Sequence, residues 1–154
     1  GIWRGGKYST FEAGSRVPFI ISWTQKIKPA VSDALVSQID LLASFSHYFA
    51  KPAEKNHVID SENIWEAFIG KSKIGRTVLI EQGMQSLAIV KNNWKYIEPN
   101  KGAGVSVATR IELGNSLDEQ LYNLTTDPSE KINLAQQHPE LVAELKSLLR
   151  KMRD

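Results

Sequence analysis

The stretch Leu87-Ala88-Ile89-Val90-Lys91-Asn92-Asn93-Trp94-Lys95-Tyr96-Ile97-Glu98 decides how the chain folds. Apolar, strand-favouring runs flank Asn92-Asn93, and asparagine tolerates the positive φ that a two-residue hairpin turn demands. The spacing predicts strands over Leu87–Lys91 and Trp94–Glu98. Upstream, Thr77–Gln82 has the same character. Downstream, Pro-Asn-Lys-Gly-Ala-Gly at 99–104 reads as a flexible loop, with further strands expected at Val105–Leu113 and Gln120–Leu124. The chain closes on an amphipathic helix. Pro139 stands near its first position, where a missing N–H costs nothing. Leu141, Val142, Leu145, Leu148, Leu149 and Met152 recur at helical spacing, so one face must lie on something, most simply the sheet.

The first half is of a different kind. Val17-Pro-Phe-Ile-Ile-Ser-Trp23 is an almost unbroken apolar run, expected as a strand buried on both faces at the edge of a larger sheet. Residues 24–34 read as a loop. Asp40 is expected to cap a helix over Leu41–Ala50 with Leu42, Phe45 and Phe49 on one face. After a connector at Pro52–Val58, Asp60 is expected to cap a short helix carrying Ile64, Trp65, Phe68 and Ile69, stopped by Gly70. Three segments result: residues 1–52 with the expected strand and helix, 53–75 as a connector with a short helix, and 76–154 as an α+β subdomain. The fold class is α+β, with an antiparallel sheet of about four strands packed by the C-terminal helix.

At 154 residues the chain has the length of one ordinary domain. Its 19 Lys+Arg against 17 Asp+Glu leave +2, which argues against a nucleic-acid partner. No apolar run reaches the ~20 residues of a membrane span. With no cysteine, thiolate chemistry and disulfide frameworks are excluded. His47, His57 and His138 lack partners at metal-ligand spacing, so no metal ligands are assigned within the chain. Asn123-Leu124-Thr125 fits the glycosylation pattern but reads as coincidence. The chain opens on Gly1 rather than Met, which suggests a piece of something longer.

Gly1-Ile-Trp-Arg-Gly-Gly-Lys-Tyr8 approaches a phosphate-binding P-loop, yet Tyr8 replaces the hydroxyl residue that would hold magnesium. The same residues have another use. Glycines beside Lys7 let backbone approach an oxyanion while the ammonium neutralises it, and Arg4 offers a planar fork of donors. Taken alone, the segment reads more readily as a glycine turn bearing two solvated cations.

Four segments in order resemble the formylglycine-dependent sulfatases (the arylsulfatase family of the alkaline-phosphatase-like superfamily). Arg4-Gly-Gly-Lys7 followed by Phe11-Glu-Ala-Gly-Ser-Arg-Val-Pro18 is similar to the family's Arg-Gly-x-Lys and Glu-Gly-Gly-x-Arg-Val-Pro, with Ala13 for one glycine. Val36-Ser-Gln-Ile-Asp-Leu-Leu42 resembles its following helix start, with Ala43-Ser44 where Pro-Thr is usual. Trp94-Lys-Tyr-Ile97 is the third. Glu119-Gln-Leu-Tyr-Asn-Leu124, Asp127-Pro-Ser-Glu130, Asn133-Leu134 and His138-Pro139 resemble the family's ending, with Gln120 inserted and Asn123 for Asp.

The resemblance implies the C-terminal part of a sulfuric ester hydrolase, with residues 1–52 as the strand-helix remnant of its alkaline-phosphatase-like α/β catalytic domain; the substrate is a sulfated small molecule or glycan, and the missing N-terminal part is the chain's main partner. Its nucleophile would be a formylglycine made in a Cys/Ser-x-Pro-x-Arg motif, and none of the six prolines here has a Ser two residues before it. Calcium and formylglycine are thus expected outside this chain. Of the catalytic residues, Lys7 maps by resemblance to the sulfate contact; Trp3 and Arg4 are candidates to line the substrate pocket. Glu12 and Arg16 are expected to form a structural ion pair. The isolated chain is expected to be inactive, and the parent exported to the periplasm or secreted. Alternatives are a non-catalytic glycan- or protein-binding module, with Trp65, Trp94 and Tyr96 as a sugar platform, or a related phosphoester hydrolase. Parted from a larger sheet, the 17–23 run and the 41–50 helix should dimerise, repack or stay partly exposed.

Overall fold

A computed structural model describes residues 1–54 and 59–153. The chain divides into two compact units, one of Gly1–Pro18 with Ile80–Asp154, the other Phe19–Leu79. The hairpin forms as the sequence predicts. Strands β1 (Val78–Gln82), β2 (Leu87–Lys91), β3 (Trp94–Ile97) and β4 (Gln120–Asn123) make one sheet in the order β1-β2-β3-β4. Lys91 pairs with Trp94 across the turn, and Asn92 (φ 50°) and Asn93 (φ 63°) both take the left-handed backbone. β4 adds antiparallel to β3, with Lys95 opposite Tyr122 and Tyr96 opposite Leu121.

Period-2 alternation gives this sheet two covered faces. One faces the terminal helix α4 (Pro139–Arg153), which packs on β2 and β3 and buries Val142, Leu145 and Leu149. Lys91 on β2 reaches Glu144 of α4 at 2.6 Å, and Trp94 meets His138 edge-on at 5.1 Å. The other face carries Ala88, Ile97 and Tyr122, and Phe11 closes over them from the N-terminal segment, its ring 6.0 Å from that of Tyr122. Lys95 sits on this second face, fully buried. Sequence periodicity identified the helical cover; the second cover, built from residues far away in the chain, was not foreseen.

Two expected strands are absent. Val105–Leu113 makes only a single bridge, Val105 to Glu112. Its chain instead folds into a local turn, where the Arg110 N–H bonds the Ser106 carbonyl at 2.8 Å and Arg110 has φ 60°. The loop before it, expected to be flexible, is tied down: Asn100 N–H donates to the Ser116 carbonyl at 2.7 Å and Asn115 Nδ2 to the Ala103 carbonyl at 2.8 Å. Val17–Trp23 likewise has no strand, and Ile20 is 88% exposed. A run apolar on both faces needs a neighbour on each side to hold it extended, and no strand among the described residues pairs with it.

In the second unit, helix α2 (Asp40–Tyr48) starts with Asp40 as its first residue rather than its cap. The Asp40 carboxylate accepts the Glu62 N–H at 2.8 Å and pairs with the buried guanidinium of Arg76. Leu42, Phe45 and Phe49 remain exposed, as expected of an apolar face without a cover. Helix α3 (Trp65–Phe68) ends where predicted, with Gly70 at φ 73°, but Ile64 rather than Asp60 stands at its N-cap. Ile64, Ala67 and Phe68 form the unit's apolar cluster with Ile21, Ala34, Val36 and Leu41. Part of the predicted connector, 55–58 with His57, lies outside the described residues.

Candidate functional site

The N-terminal segment is a bracket of tight turns ending in α1 (Glu12–Ser15). Residues Gly6–Ser9 close a four-residue turn, the Ser9 N–H donating to the Gly6 carbonyl at 2.9 Å. Its third residue, Tyr8, has φ 79°, a position where such turns favour glycine. A tyrosine held there costs on the order of 1–3 kcal/mol and persists only when its surroundings over-determine it. They do so here. The Tyr8 carbonyl accepts the Met84 N–H at 2.9 Å, Thr10 N–H donates to the Leu113 carbonyl at 2.9 Å, and Ala13 N–H to the Arg4 carbonyl at 3.0 Å. Gly14 packs so closely that a Cβ there would stand 2.0 Å from the Ser9 carbonyl oxygen.

Lys7 occupies the second position of that turn and is exposed. Its ammonium lies 5.1 Å from the Tyr8 ring centre and, among the described residues, makes no ion pair or hydrogen bond. A cation on a braced turn with no partner of its own is available to an external anion.

Arg4 and Trp3, the other candidates, are engaged within the protein. Arg4 grips the Glu112 carboxylate with two bonds, Nε–Oε2 at 3.0 Å and NH2–Oε1 at 2.7 Å. Its third nitrogen donates to the Glu130 carbonyl at 2.6 Å, and its guanidinium carbon lies 4.0 Å from the Phe11 ring centre. The bidentate bond to Glu112 raises the Arg4 pKa and lowers that of Glu112. Trp3 lies under the Arg16 guanidinium, 4.1 Å from its ring centre. The structure thus gathers Trp3, Arg4 and Lys7 into one bracket and leaves only Lys7 unpaired among those three.

The expected Glu12–Arg16 pair forms, at 2.5 Å, but Glu12 has a second and deeper partner. Lys95 Nζ lies 2.8 Å from Glu12 Oε1, 2.7 Å from Glu81 Oε2 and 3.5 Å from Glu130 Oε1, with Lys95, Glu12 and Glu130 buried and Glu81 nearly so. The Lys95 bond to Glu12 has hydrogen-bond geometry; Glu81 Oε2 and Glu130 Oε1 have no hydrogen-bond partner and are held by charge. Burial alone would lower the Lys95 pKa, but Glu81, Glu12 and Glu130 outweigh it and push it up to about 12. Burial by contrast raises Glu12, and there Lys95 and Arg16 prevail and hold it below the ordinary carboxylate range. Glu130 is the opposite case, where burial dominates the pull of Lys95 and lifts the carboxyl to about 7. Sequence reading assigned Lys95 no role, although a lysine at an inward strand position is itself a signal that carboxylates must converge on it.

Among the described residues no metal cage is built, and Trp94 and Tyr96 do not form an exposed platform. Among the described residues no group of three or more His, Cys, Asp or Glu could hold a metal ion, and the Glu12–Glu81–Glu130 trio is filled by the Lys95 ammonium. Tyr96 is fully buried, and Trp94 is half-buried against His138. No helix among the described residues is long and apolar enough to cross a membrane.

No protein-family model matches the chain. Over 97% of its length it is 47% identical to an N-acetylgalactosamine-6-O-sulfatase of Bacteroides thetaiotaomicron, of which it covers 29%. It is 28% identical to human arylsulfatase A over 96% of the chain and 32% of that relative. Among solved structures, one from Bacteroides thetaiotaomicron, described with the metabolism of multiple glycosaminoglycans, superposes with a TM-score of 0.95 at 46% identity, covering 97% of this chain and 32% of that one. Another, in complex with k-i-k-neocarrahexaose, gives a TM-score of 0.73 at 26% identity over 97% of this chain and 31% of that one. The chain therefore spans about three-tenths of the length of the relatives it matches. The four-stranded antiparallel sheet with its terminal helix matches the sulfatase C-terminal subdomain, and over nearly its whole length the chain is similar to part of a sulfatase.

Proposed function

We propose that this chain is the part of a sulfate-ester hydrolase that supplies one electrostatic contact, Lys7, to the sulfuryl group and the scaffold that holds it. The observation that carries this reading is the unpaired Lys7 ammonium on a turn whose neighbouring residues are all fixed. Cleavage of a sulfate ester leaves charge on the sulfuryl oxygens and builds it on the departing oxygen. An ammonium fixed where that charge develops stabilises the transition state more than the bound substrate. It needs no reorganisation during the reaction, because the turn is already locked. Arg4 and Trp3 serve as the wall of the bracket, with Arg4 anchored on Glu112 and the Glu130 carbonyl.

The name of the Bacteroides relative supports a 6-O-sulfated N-acetylgalactosamine unit as the substrate class, and an exported location follows from the family alone. Formylglycine and calcium, which the family implies, would be supplied outside these residues: no Cys or Ser stands two residues before a proline, and the described acidic residues do not form a metal site. The isolated chain is therefore inactive in this reading.

The test compares the complete protein with the 154-residue chain on three substrates: an aryl sulfate, a 6-O-sulfated N-acetylgalactosamine oligosaccharide and the matching phosphate esters. Turnover of sulfate esters by the complete protein alone supports the reading. Preference for phosphate would move it to a related hydrolase, and turnover by the isolated chain would overturn it.

A further inference from the structure

The buried charge cluster is unused by the chemistry above, yet every member touches the bracket or the sheet beneath it. We infer that Lys95, with Glu12, Glu81 and Glu130, is a positioning centre that sets where Lys7 is presented to substrate. This rests on the reading of Lys7 as the sulfate contact.

The connections run outward from one atom. Lys95 Nζ, at the middle of β3, holds Glu12 in the first turn of α1 at 2.8 Å and Glu81 on β1 at 2.7 Å. Glu81 passes the connection to the end of α1, its Oε1 accepting the Ser15 hydroxyl at 2.7 Å. Glu130 Oε2 accepts the Glu12 N–H at 2.7 Å, while the Glu130 carbonyl accepts Arg4 at 2.6 Å. Glu130 itself is fully buried and takes φ 50°, a backbone conformation that points to an imposed geometry. One end of the Arg4–Arg16 bracket is thus fastened to the Glu130 backbone and the other to the carboxylates around the buried ammonium, and Lys7 lies in the chain between them.

A purely apolar filling would close this core equally well and with less desolvation. Apolar contacts are non-directional, however, whereas the hydrogen bonds of Glu12, Glu81 and Glu130 fix both distance and angle. Fixing the bracket to the sheet by four polar side chains sets the Lys7 position in a way that grease would not. Displacement of a reacting partner by 1 Å can cost on the order of 10²-fold in rate.

The experiment is a double-mutant cycle in the complete protein, with active sites titrated so that kcat refers to folded enzyme only. Lys95→Met is expected to lower kcat by about 10-fold or more, with a smaller change in KM. In a Lys7→Ala background the same substitution is expected to lower kcat less than about twofold, because the group it positions is gone. If Lys95→Met does not yield folded enzyme, Glu130→Ala, which removes the acceptor of the Glu12 N–H, takes its place in the cycle. Equal losses in the two backgrounds would overturn the positioning role while leaving the Lys7 reading intact. A normal kcat for Lys7→Ala alone would overturn the Lys7 reading itself. In the 154-residue chain, amide exchange supplies a second readout. Glu130→Ala should speed exchange of the Glu12 and Ala13 amides by about 10-fold or more while the Ala88 and Val90 amides stay protected. Unchanged exchange at both sets of amides would contradict the fastening.

Discussion

Glu130 makes the stability of this chain depend on pH in a direction opposite to that of most carboxylates. Its carboxyl is lifted from 4.5 to about 7, whereas Glu12 is held below its ordinary value. Between pH 4.5 and 7 the folded chain keeps a proton on Glu130 that the unfolded chain has released. Stability therefore falls as pH rises through that window and levels off above it. A shift of that size corresponds to on the order of 3 kcal/mol in full. Glu12 acts elsewhere: its contribution is present above its ordinary value of 4.5 and is lost as pH falls through its lower folded value. The two windows do not overlap. Glu130→Gln mimics the protonated carboxyl and retains an oxygen for the Glu12 N–H. The substitution should leave stability nearly unchanged at pH 4.5 and increase it at pH 8, by up to about 3 kcal/mol. The assay is urea unfolding of parent and variant between pH 4.5 and 8, with exchange of the Ala88–Val90 amides reporting the sheet. Taking the difference between the two proteins cancels every group that titrates alike in both. A variant that loses stability equally across the whole range would refute the buried-carboxyl account.

Three further substitutions probe the frame. Gly14→Ala would place a Cβ 2.0 Å from the Ser9 carbonyl oxygen and must push the Lys7 turn aside, so we expect a loss of about 2 kcal/mol or more. Gly70→Ala meets open space at φ 73° and should cost only about 1 kcal/mol; equal effects in thermal unfolding would contradict the close-approach explanation. Asp40→Ala strips the buried Arg76 guanidinium of one carboxylate and leaves Glu62, 2.9 Å away, as the other. Breaking such a pair costs about 3 kcal/mol, and Trp23 and Trp65 fluorescence during urea unfolding should show it; an unchanged transition would show that Glu62 alone suffices.

What could be read from the sequence depended on how local the cause was. The hairpin was visible because Asn92 and Asn93 supply their own turn geometry, and α4 because its apolar period is self-contained. The 17–23 run misled because its composition specifies burial without specifying a partner, and composition cannot choose between strand and irregular chain when no neighbour pairs with it. The role proposed for Lys7 rests on its glycine neighbours and a resemblance, since the turn that presents it depends on Met84, Leu113 and Arg4 contacts that no spacing announces. The Lys95 cluster was hidden for the same reason. Its carboxylates come from positions 12, 81 and 130, which the fold alone brings together.

The kcat of Lys7→Ala in the complete protein, measured on a sulfate ester with active sites titrated, tests the central claim most directly. An ammonium that stabilises developing charge predicts a fall of about 10²-fold or more, larger than any rise in KM. A kcat within about twofold of the parent would remove Lys7 from the chemistry.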